Sequence, residues 1–321
     1  MVKNYISAKI ARRQHVAENV LELVLTPIAD SEFPHWEPGA HIDLALLRQD
    51  QGDGPIIRQY SLCGDPVNLS EYRIGVLREP EGRGGSAYIH DQLNVGDTVE
   101  ISAPRNHFPF TSGQKTLFIA GGIGITPILP MVAKSISEDN DWQLIIAARS
   151  RTRLPFADLI AGLPQERIYC HCDDEQGRLD LAALLHGRGV ETTVYSCGPA
   201  RLLDALQELN RDAPWQLRIE RFTASTVIDD TDNRPFEVIC KRSGKTLYVP
   251  ANKSLLEVLK NAGIKIDSSC RDGICGTCEI EVLSGTPHHR DQVLTREERI
   301  EGTHMMACVS RARGDVLELN I

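Results

Sequence analysis

Cys270-Arg-Asp-Gly-Ile-Cys275-Gly-Thr-Cys278, followed downstream by Cys308, is the stretch of this 321-residue chain that decides how the rest is read. Its spacing, C-x4-C-x2-C…C, is that of plant-type [2Fe–2S] sites. Such a cluster takes four soft thiolates, three from one tight loop and the fourth from a distant segment. Gly273 and Gly276 suit the loop, which needs unusual dihedrals and close backbone approach so that amide N–H groups point at sulfur. Ser268, Ser269 and Thr277 crowd it little. A zinc site also uses four cysteines, but usually as paired C-x2-C knuckles, and unrelated buried thiols are the other alternative. The spacing assigns the metal to Cys270, Cys275, Cys278 and Cys308.

The chain has nine cysteines, and Cys63, Cys170, Cys172, Cys197 and Cys240 are scattered outside this constellation. A cluster of thiols in a reducing compartment points to metal rather than disulfides. The start of the chain shows no secretory signal, and no apolar run approaches the ~18 residues of a membrane span, so a cytoplasmic setting without a membrane partner is expected. A net charge of −9 argues against a nucleic-acid partner, whose phosphates require a Lys/Arg footprint. Length divides naturally into roughly two or three domains.

Residues 1–112 carry short alternating segments, Ile6–Ile10, Val20–Leu25, Arg73–Leu77 and Thr98–Ile101, between turns at Pro38-Gly39, Asp53-Gly54, Gly82–Gly85 and Gly96-Asp97. This predicts an antiparallel β-barrel. Over 113–225 the texture changes to continuous apolar strands, Thr116–Ala120, Trp142–Ala148, Arg167–Cys172 and Thr193–Cys197, alternating with helical stretches such as Pro127–Lys134 and Ala200–Leu209. That pattern predicts a parallel-sheet α/β domain covered on both faces. Residues 226–235 are polar and end in Pro235, a linker pattern. In 236–321, Phe236–Cys240 and Lys245–Val249 flank Ser243-Gly244 as a hairpin, and Ser254 with Glu257 predicts a capping box for a helix over Leu255–Ala262.

Three further motifs carry chemistry. Arg58-Gln-Tyr60-Ser61 offers a flavin a cation for its phosphate, an aromatic surface for its ring and a hydroxyl for hydrogen bonding. Gly82-Arg-Gly84-Gly85-Ser86, ahead of a helical stretch, offers backbone donors, a hydroxyl and a helix N-terminus to an anion. Gly121-Gly122-Ile-Gly124-Ile-Thr126-Pro127 is a phosphate-cradling strand-to-helix turn, and Tyr195-Ser-Cys197-Gly198-Pro199 closes a later strand. Each has a plainer reading: a structural tyrosine, a surface glycine turn, tight packing, a small buried thiol. After the strand ending at Cys172 stands Asp173-Asp174, which repels a 2′-phosphate and accepts from a ribose 2′-hydroxyl, favouring NADH over NADPH. Arg149 and Arg151, after the preceding strand, pull the other way.

Pro250-Ala-Asn-Lys-Ser-Leu-Leu-Glu-Val-Leu, the cysteine loop and Met306-Ala-Cys308-Val-Ser-Arg resemble the ferredoxin domain of phthalate dioxygenase reductase and its vanillate demethylase relatives. The two upstream motif pairs resemble the flavin and nicotinamide domains of the ferredoxin–NADP reductase superfamily. The resemblance implies a flavin barrel (1–112), an NAD domain (113–225), a linker (226–235) and a β-grasp-like ferredoxin domain (236–321). It implies FMN rather than FAD, held through Arg58, Tyr60, Ser61, Gly82, Gly84, Gly85 and Ser86. It implies that Gly121, Gly122, Gly124 and Thr126 lie along NADH, that Cys197, Gly198 and Pro199 flank the reacting ring, and that Phe222 lies against the flavin. Ser61, Thr126, Cys197 and Phe222 are thus the candidates nearest the chemistry.

A hydride carries two electrons and a [2Fe–2S] cluster accepts one at a time, so a flavin between them is the expected converter. The implied partner is a Rieske-type oxygenase acting on an aromatic or related small molecule. A haem-thiolate monooxygenase, another carrier, or a redox-sensing role are the competing expectations. Lys/Arg and Asp/Glu balance over 236–321, so composition shows no strongly signed docking face.

Overall fold

The computed structural model describes residues 5–28, 31–46, 56–80, 82, 84–113, 115–223 and 233–321, apart from the side chain of Arg296. The described chain forms two compact units, Asn4–Arg221 and Phe222–Ile321.

The first unit begins with β1 (Ile6–Ala17), β2 (Val20–Pro27), β3 (Ala40–Leu46), β4 (Ile56–Ser61), β5 (Tyr72–Leu77), α1 (Gly85–Gln92), β6 (Thr98–Ile101) and β7 (Arg105–Asn106). The strands pair antiparallel in the order β4-β3-β6-β1-β2-β5, with β7 on β3. A bridge between Leu62 and Ile74, and the Cys63 N–H donating to the Arg73 carbonyl at 2.9 Å, join the end of β4 to β5 and close the barrel. Leu21, Leu23, Leu25, Ile42 and Leu44 fill it. Simple alternation fails on β3, buried at every position because polar residues there find partners. Asp43 is wholly buried and accepts from Arg105 at 2.6 Å and Gln59 at 3.1 Å. The Asp53-Gly54 turn lies outside the described residues.

The second half of this unit contains β8 (Lys115–Gly121), α2 (Ile125–Ser137), β9 (Asp141–Ala148), α3 (Ala157–Ala161), β10 (Ile168–Cys172), α4 (Asp173–Gln176), α5 (Leu181–Leu185), β11 (Thr192–Cys197), α6 (Ala200–Asn210) and β12 (Gln216–Glu220). The strands are parallel in the order β10-β9-β8-β11-β12. Phe118 and Ala120 enter one core, Leu117 and Ile119 the other, so β8 is buried on both faces as its unbroken apolar run requires. Strand order reverses between β8 and β11, the switch point at whose carboxyl ends doubly wound sheets bind ligands. Both glycine motifs lie there.

Barrel and parallel sheet share a core in which Cys63, Phe108 and Phe110 pack with Phe118, Ile125 and Tyr195. The Tyr195 hydroxyl accepts from the Thr111 N–H at 3.1 Å, and Arg153 pairs with Glu18 at 2.6 Å.

The second unit contains β13 (Phe236–Cys240), β14 (Lys245–Val249), α7 (Leu255–Asn261), β15 (Glu279–Ser284), β16 (Pro287–His288), α8 (Arg296–Glu301), β17 (His304–Met306), β18 (Arg311–Ala312) and β19 (Val316–Leu319). The main sheet runs β14-β13-β19-β15-β17, with β19 parallel to β13, the β-grasp arrangement. Leu255, Leu256 and Leu259 bury one face of α7, each worth about 1.5–3 kcal/mol. Only half of the expected capping box forms at Ser254, which accepts from the Glu257 N–H at 3.2 Å. The Glu257 carboxylate turns to Lys253 at 3.9 Å. A complete box stands instead at Thr295 and Glu298, at the start of α8. Residues 226–232 of the expected linker lie outside the described residues. Asn233 belongs to the second unit, donating to the Ala251 carbonyl at 3.0 Å and accepting from Arg290 at 2.6 Å.

Candidate functional site

Cys270, Cys275, Cys278 and Cys308 are all buried, and their sulfurs converge. Cys270 contacts Cys275 and Cys308, and Cys308 contacts Cys278, so the thiols form two pairs, 270–275 and 278–308, joined through Cys270 and Cys308. Two pairs fit a binuclear cluster. The Asp272 N–H donates to Cys270 Sγ at 3.3 Å, and Thr277 Oγ1 lies 3.3 Å from Cys275 Sγ. Neighbouring thiols and the backbone N–H groups of Asp272 and Ile274 hold Cys270 well below the usual thiol range. Gly273 and Gly276 take the expected positive φ, +72° and +68°, and Arg271 joins them at φ +61°. The loop is stapled from outside, where the Gln292 N–H donates to the Gly273 carbonyl at 2.8 Å. The donor set, the burial and the N–H groups aimed at sulfur all fit [2Fe–2S].

On the barrel, Arg58, Tyr60 and Ser61 follow one another along β4. Gly84 precedes α1 in a left-handed conformation with no side-chain cap, leaving the first N–H groups of α1 available to an anion. A Cβ at Gly85 would lie 2.5 Å from Arg58 Nε, so the guanidinium lies directly against this helix start. Cation and helix N-terminus together fit a phosphate. Ser86 Oγ accepts from the Glu79 N–H at 3.0 Å, orienting its hydroxyl, and Gly82 lies in the loop just before. Arg83, between the glycines, is outside the described residues.

At the switch point, Gly121, Gly122 and Gly124 lead from β8 into α2. A Cβ on Gly124 would fall 2.1 Å from the Cys197 carbonyl oxygen, and one on Gly121 would fall 2.6 Å from Pro199. The two motifs are therefore in close backbone contact at the carboxyl ends of β8 and β11, where only glycine leaves room. Thr126 is buried, donates to the Ile123 carbonyl at 2.9 Å, and packs against Gly75 of β5. Asp173 and Asp174 are exposed on α4; Asp173 lies 3.4 Å from the His171 ring, and the Asp174 N–H donates to the Arg149 carbonyl at 3.1 Å. Phe222 opens the second unit, 37% exposed.

Sequence reasoning gave no role to Glu220, the last residue of β12. It lies opposite Cys197 in the parallel register, and Ser61 Oγ donates to its Oε2 at 3.4 Å. Its carboxylate keeps part of its surface yet is packed deeply enough that burial pushes its pKa up to about 8, against the opposing pull of the Ser61 hydrogen bond. Burial and the nearby Glu220 charge push the Cys197 thiol well up, so it stays neutral and is no nucleophile. The signal was available: a carboxylate closing a strand beside the Cys-Gly-Pro strand.

Comparison with known proteins accords with this geometry. Residues 238–313 match the model of the 2Fe-2S iron-sulfur cluster binding domain. Vanillate O-demethylase oxidoreductase of Pseudomonas sp. (strain HR199 / DSM 7063) is 36% identical over 323 residues, covering 98% of this chain and 100% of that protein. The solved phthalate dioxygenase reductase superposes with TM-score 0.70 at 33% identity, over 99% of this chain and 98% of the other. An intact type IV self-sufficient cytochrome P450 monooxygenase superposes with TM-score 0.91 at 38% identity, and there this chain spans 41% of the longer one.

Barrel, switch-point glycine motifs and four-thiol loop define an electron-transfer oxidoreductase that combines a flavin, a nicotinamide nucleotide and a [2Fe–2S] cluster. The chain belongs to the family of ferredoxin–NADP-reductase-like NAD(H)/FMN/[2Fe–2S] reductases that serve Rieske-type oxygenase systems.

Proposed function

We propose that this chain takes electrons from NADH and delivers them singly, through FMN and the cluster, to a Rieske-type oxygenase acting on an aromatic or related small molecule in the cytoplasm. The observation that carries the reading is that Glu220, half-buried at the end of β12, accepts from Ser61 of the barrel and stands beside Cys197 of the parallel sheet in strand register. FMN, when bound, supplies the exchange between hydride and single-electron chemistry.

The chain's own residues bind and orient. Arg58 and the start of α1, with Gly82, Gly84, Gly85 and Ser86, hold the flavin phosphate; Tyr60 offers its ring and Ser61 its hydroxyl. Gly121, Gly122, Gly124 and Thr126 hold the pyrophosphate side of NADH. Cys197, Gly198 and Pro199 wall the nicotinamide. Asp174, whose carboxylate has no ion pair among the described residues, accepts from the ribose, with Asp173 beside it. Cys270, Cys275, Cys278 and Cys308 ligate the cluster, and such a thiol set supports a reducing compartment.

The test is anaerobic reduction by NADH, followed in the flavin and iron–sulfur bands, then turnover with a purified Rieske oxygenase. Bleaching of both bands and coupled product formation are expected. Rapid bleaching without transfer to any Rieske protein, but with transfer to a haem-thiolate monooxygenase, would favour the second reading, which the likeness to the self-sufficient P450 supports.

A further inference from the structure

The nucleotide corner holds opposed charges that the sequence leaves unresolved. Arg149 and Arg151 follow β9, Asp173, Asp174 and Glu175 follow β10, and the two strands are parallel neighbours with Cys172 opposite Ala148. The Asp174 N–H to Arg149 carbonyl bond fastens one loop to the other at 3.1 Å. The Arg151 fork is taken up within this corner: Nε and one terminal nitrogen bind the two oxygens of Glu175 at 2.6 and 3.0 Å. The carboxylates of Asp174 and Glu175 and the Cys172 thiol approach within 4.8 Å of one another.

We propose that Glu175 sets the preference for NADH by engaging Arg151 bidentately, so that the guanidinium is withheld from a 2′-phosphate; this rests on the nucleotide reading above. With Arg151 neutralised, the charges left at the ribose are those of Asp173 and Asp174. A 2′-hydroxyl donates to them and a phosphate is repelled. Both partners are solvent-exposed, Arg151 at 74% and Glu175 at 41%. Such a pair does little for folding, and its consequence is the charge the incoming nucleotide meets. Released, an arginine fork matches phosphate bidentately. Glu175 is thus a positioning residue acting through Arg151.

The experiment uses the full holoenzyme and Glu175→Gln, which removes the charge and keeps the size. Binding of NAD+ and NADP+ by calorimetry gives a ratio of dissociation constants. That ratio is expected to move on the order of tenfold toward NADP+, because a charge-assisted contact is gained on one ligand only. In turnover the change falls in KM for NADPH and leaves kcat little altered, since the hydride leaves from the far end of the nucleotide. The double variant Arg151→Gln/Glu175→Gln returns the ratio to the wild-type value. A ratio unmoved in Glu175→Gln, or a gain that survives loss of Arg151, overturns the proposal. Equal weakening of both nucleotides also overturns it and makes Glu175 structural. Failure of the underlying reading is separately visible: Asp174→Asn would then leave NAD+ affinity unchanged.

Discussion

Ser61 Oγ lies 3.4 Å from Glu220 Oε2, a hydrogen bond that joins the flavin-side strand of the barrel to the last strand of the parallel sheet. The Glu220 pKa, raised to about 8 from 4.5, means the folded protein holds a proton the unfolded chain releases. The stabilisation from that proton is fully present below the ordinary carboxylate range and is lost as pH rises through about 8. Glu220→Gln should flatten this limb of the melting temperature measured from pH 5 to 9. A limb of unchanged steepness would sink the assignment.

Cys308→Ser removes the one ligand that arrives from outside the loop. Holoprotein spectra should lose the thiolate-to-iron bands and keep the flavin bands. NADH-driven reduction of cytochrome c should fall at least tenfold, while reduction of ferricyanide, which flavin can perform directly, should persist.

Gly124→Ala puts a methyl where the Cys197 carbonyl oxygen stands, 2.1 Å away, and no backbone group there can yield cheaply. The turn must shift, at about 1–3 kcal/mol as for other overpacking. Steady-state kinetics should show KM for NADH raised more than kcat is lowered.

Gly85→Ala displaces the Arg58 side chain from the start of α1, since its Cβ would lie 2.5 Å from Nε and 2.7 Å from Cγ. Flavin release followed by fluorescence during dilution should be roughly tenfold faster, the scale of one charge-assisted phosphate contact. Retention equal to wild type would remove Arg58 from the phosphate site.

Asp43→Asn breaks the buried pair with Arg105. Removing one member of a buried pair costs about 3–5 kcal/mol, and Arg105 keeps 25% of its surface, so roughly 2–3 kcal/mol is expected. Guanidinium denaturation followed by flavin release should register it.

The sequence was most legible where chemistry demands spacing. The four cysteines, the glycine turns at 121–124 and the apolar strands around them are local patterns, and each forms where it was expected. What stayed hidden depends on register between distant strands. Glu220 matters because β12 pairs with β11 and brings it opposite Cys197, a relation no window of sequence contains. Asp43 looks like an ordinary exposed strand residue until Arg105 arrives from β7. At Ser254 the capping pattern was right for the serine and wrong for Glu257, whose carboxylate had a lysine four residues earlier to choose instead. The place of Arg151 likewise needed coordinates, because its pair with Glu175 spans two loops 24 residues apart in sequence.

One feature of the second unit bears on how the protein is made. β19 lies between β13 and β15, parallel to β13, so the sheet that carries the cysteine loop lacks its central strand until the last part of the unit has been synthesised. Pairing so distant in sequence is slow to nucleate. On the ribosome the barrel and parallel sheet can complete themselves first, whereas the cysteines wait as open thiols. Cluster insertion therefore waits on the pairing of β19, and cells short of iron should accumulate molecules that bleach in the flavin band alone.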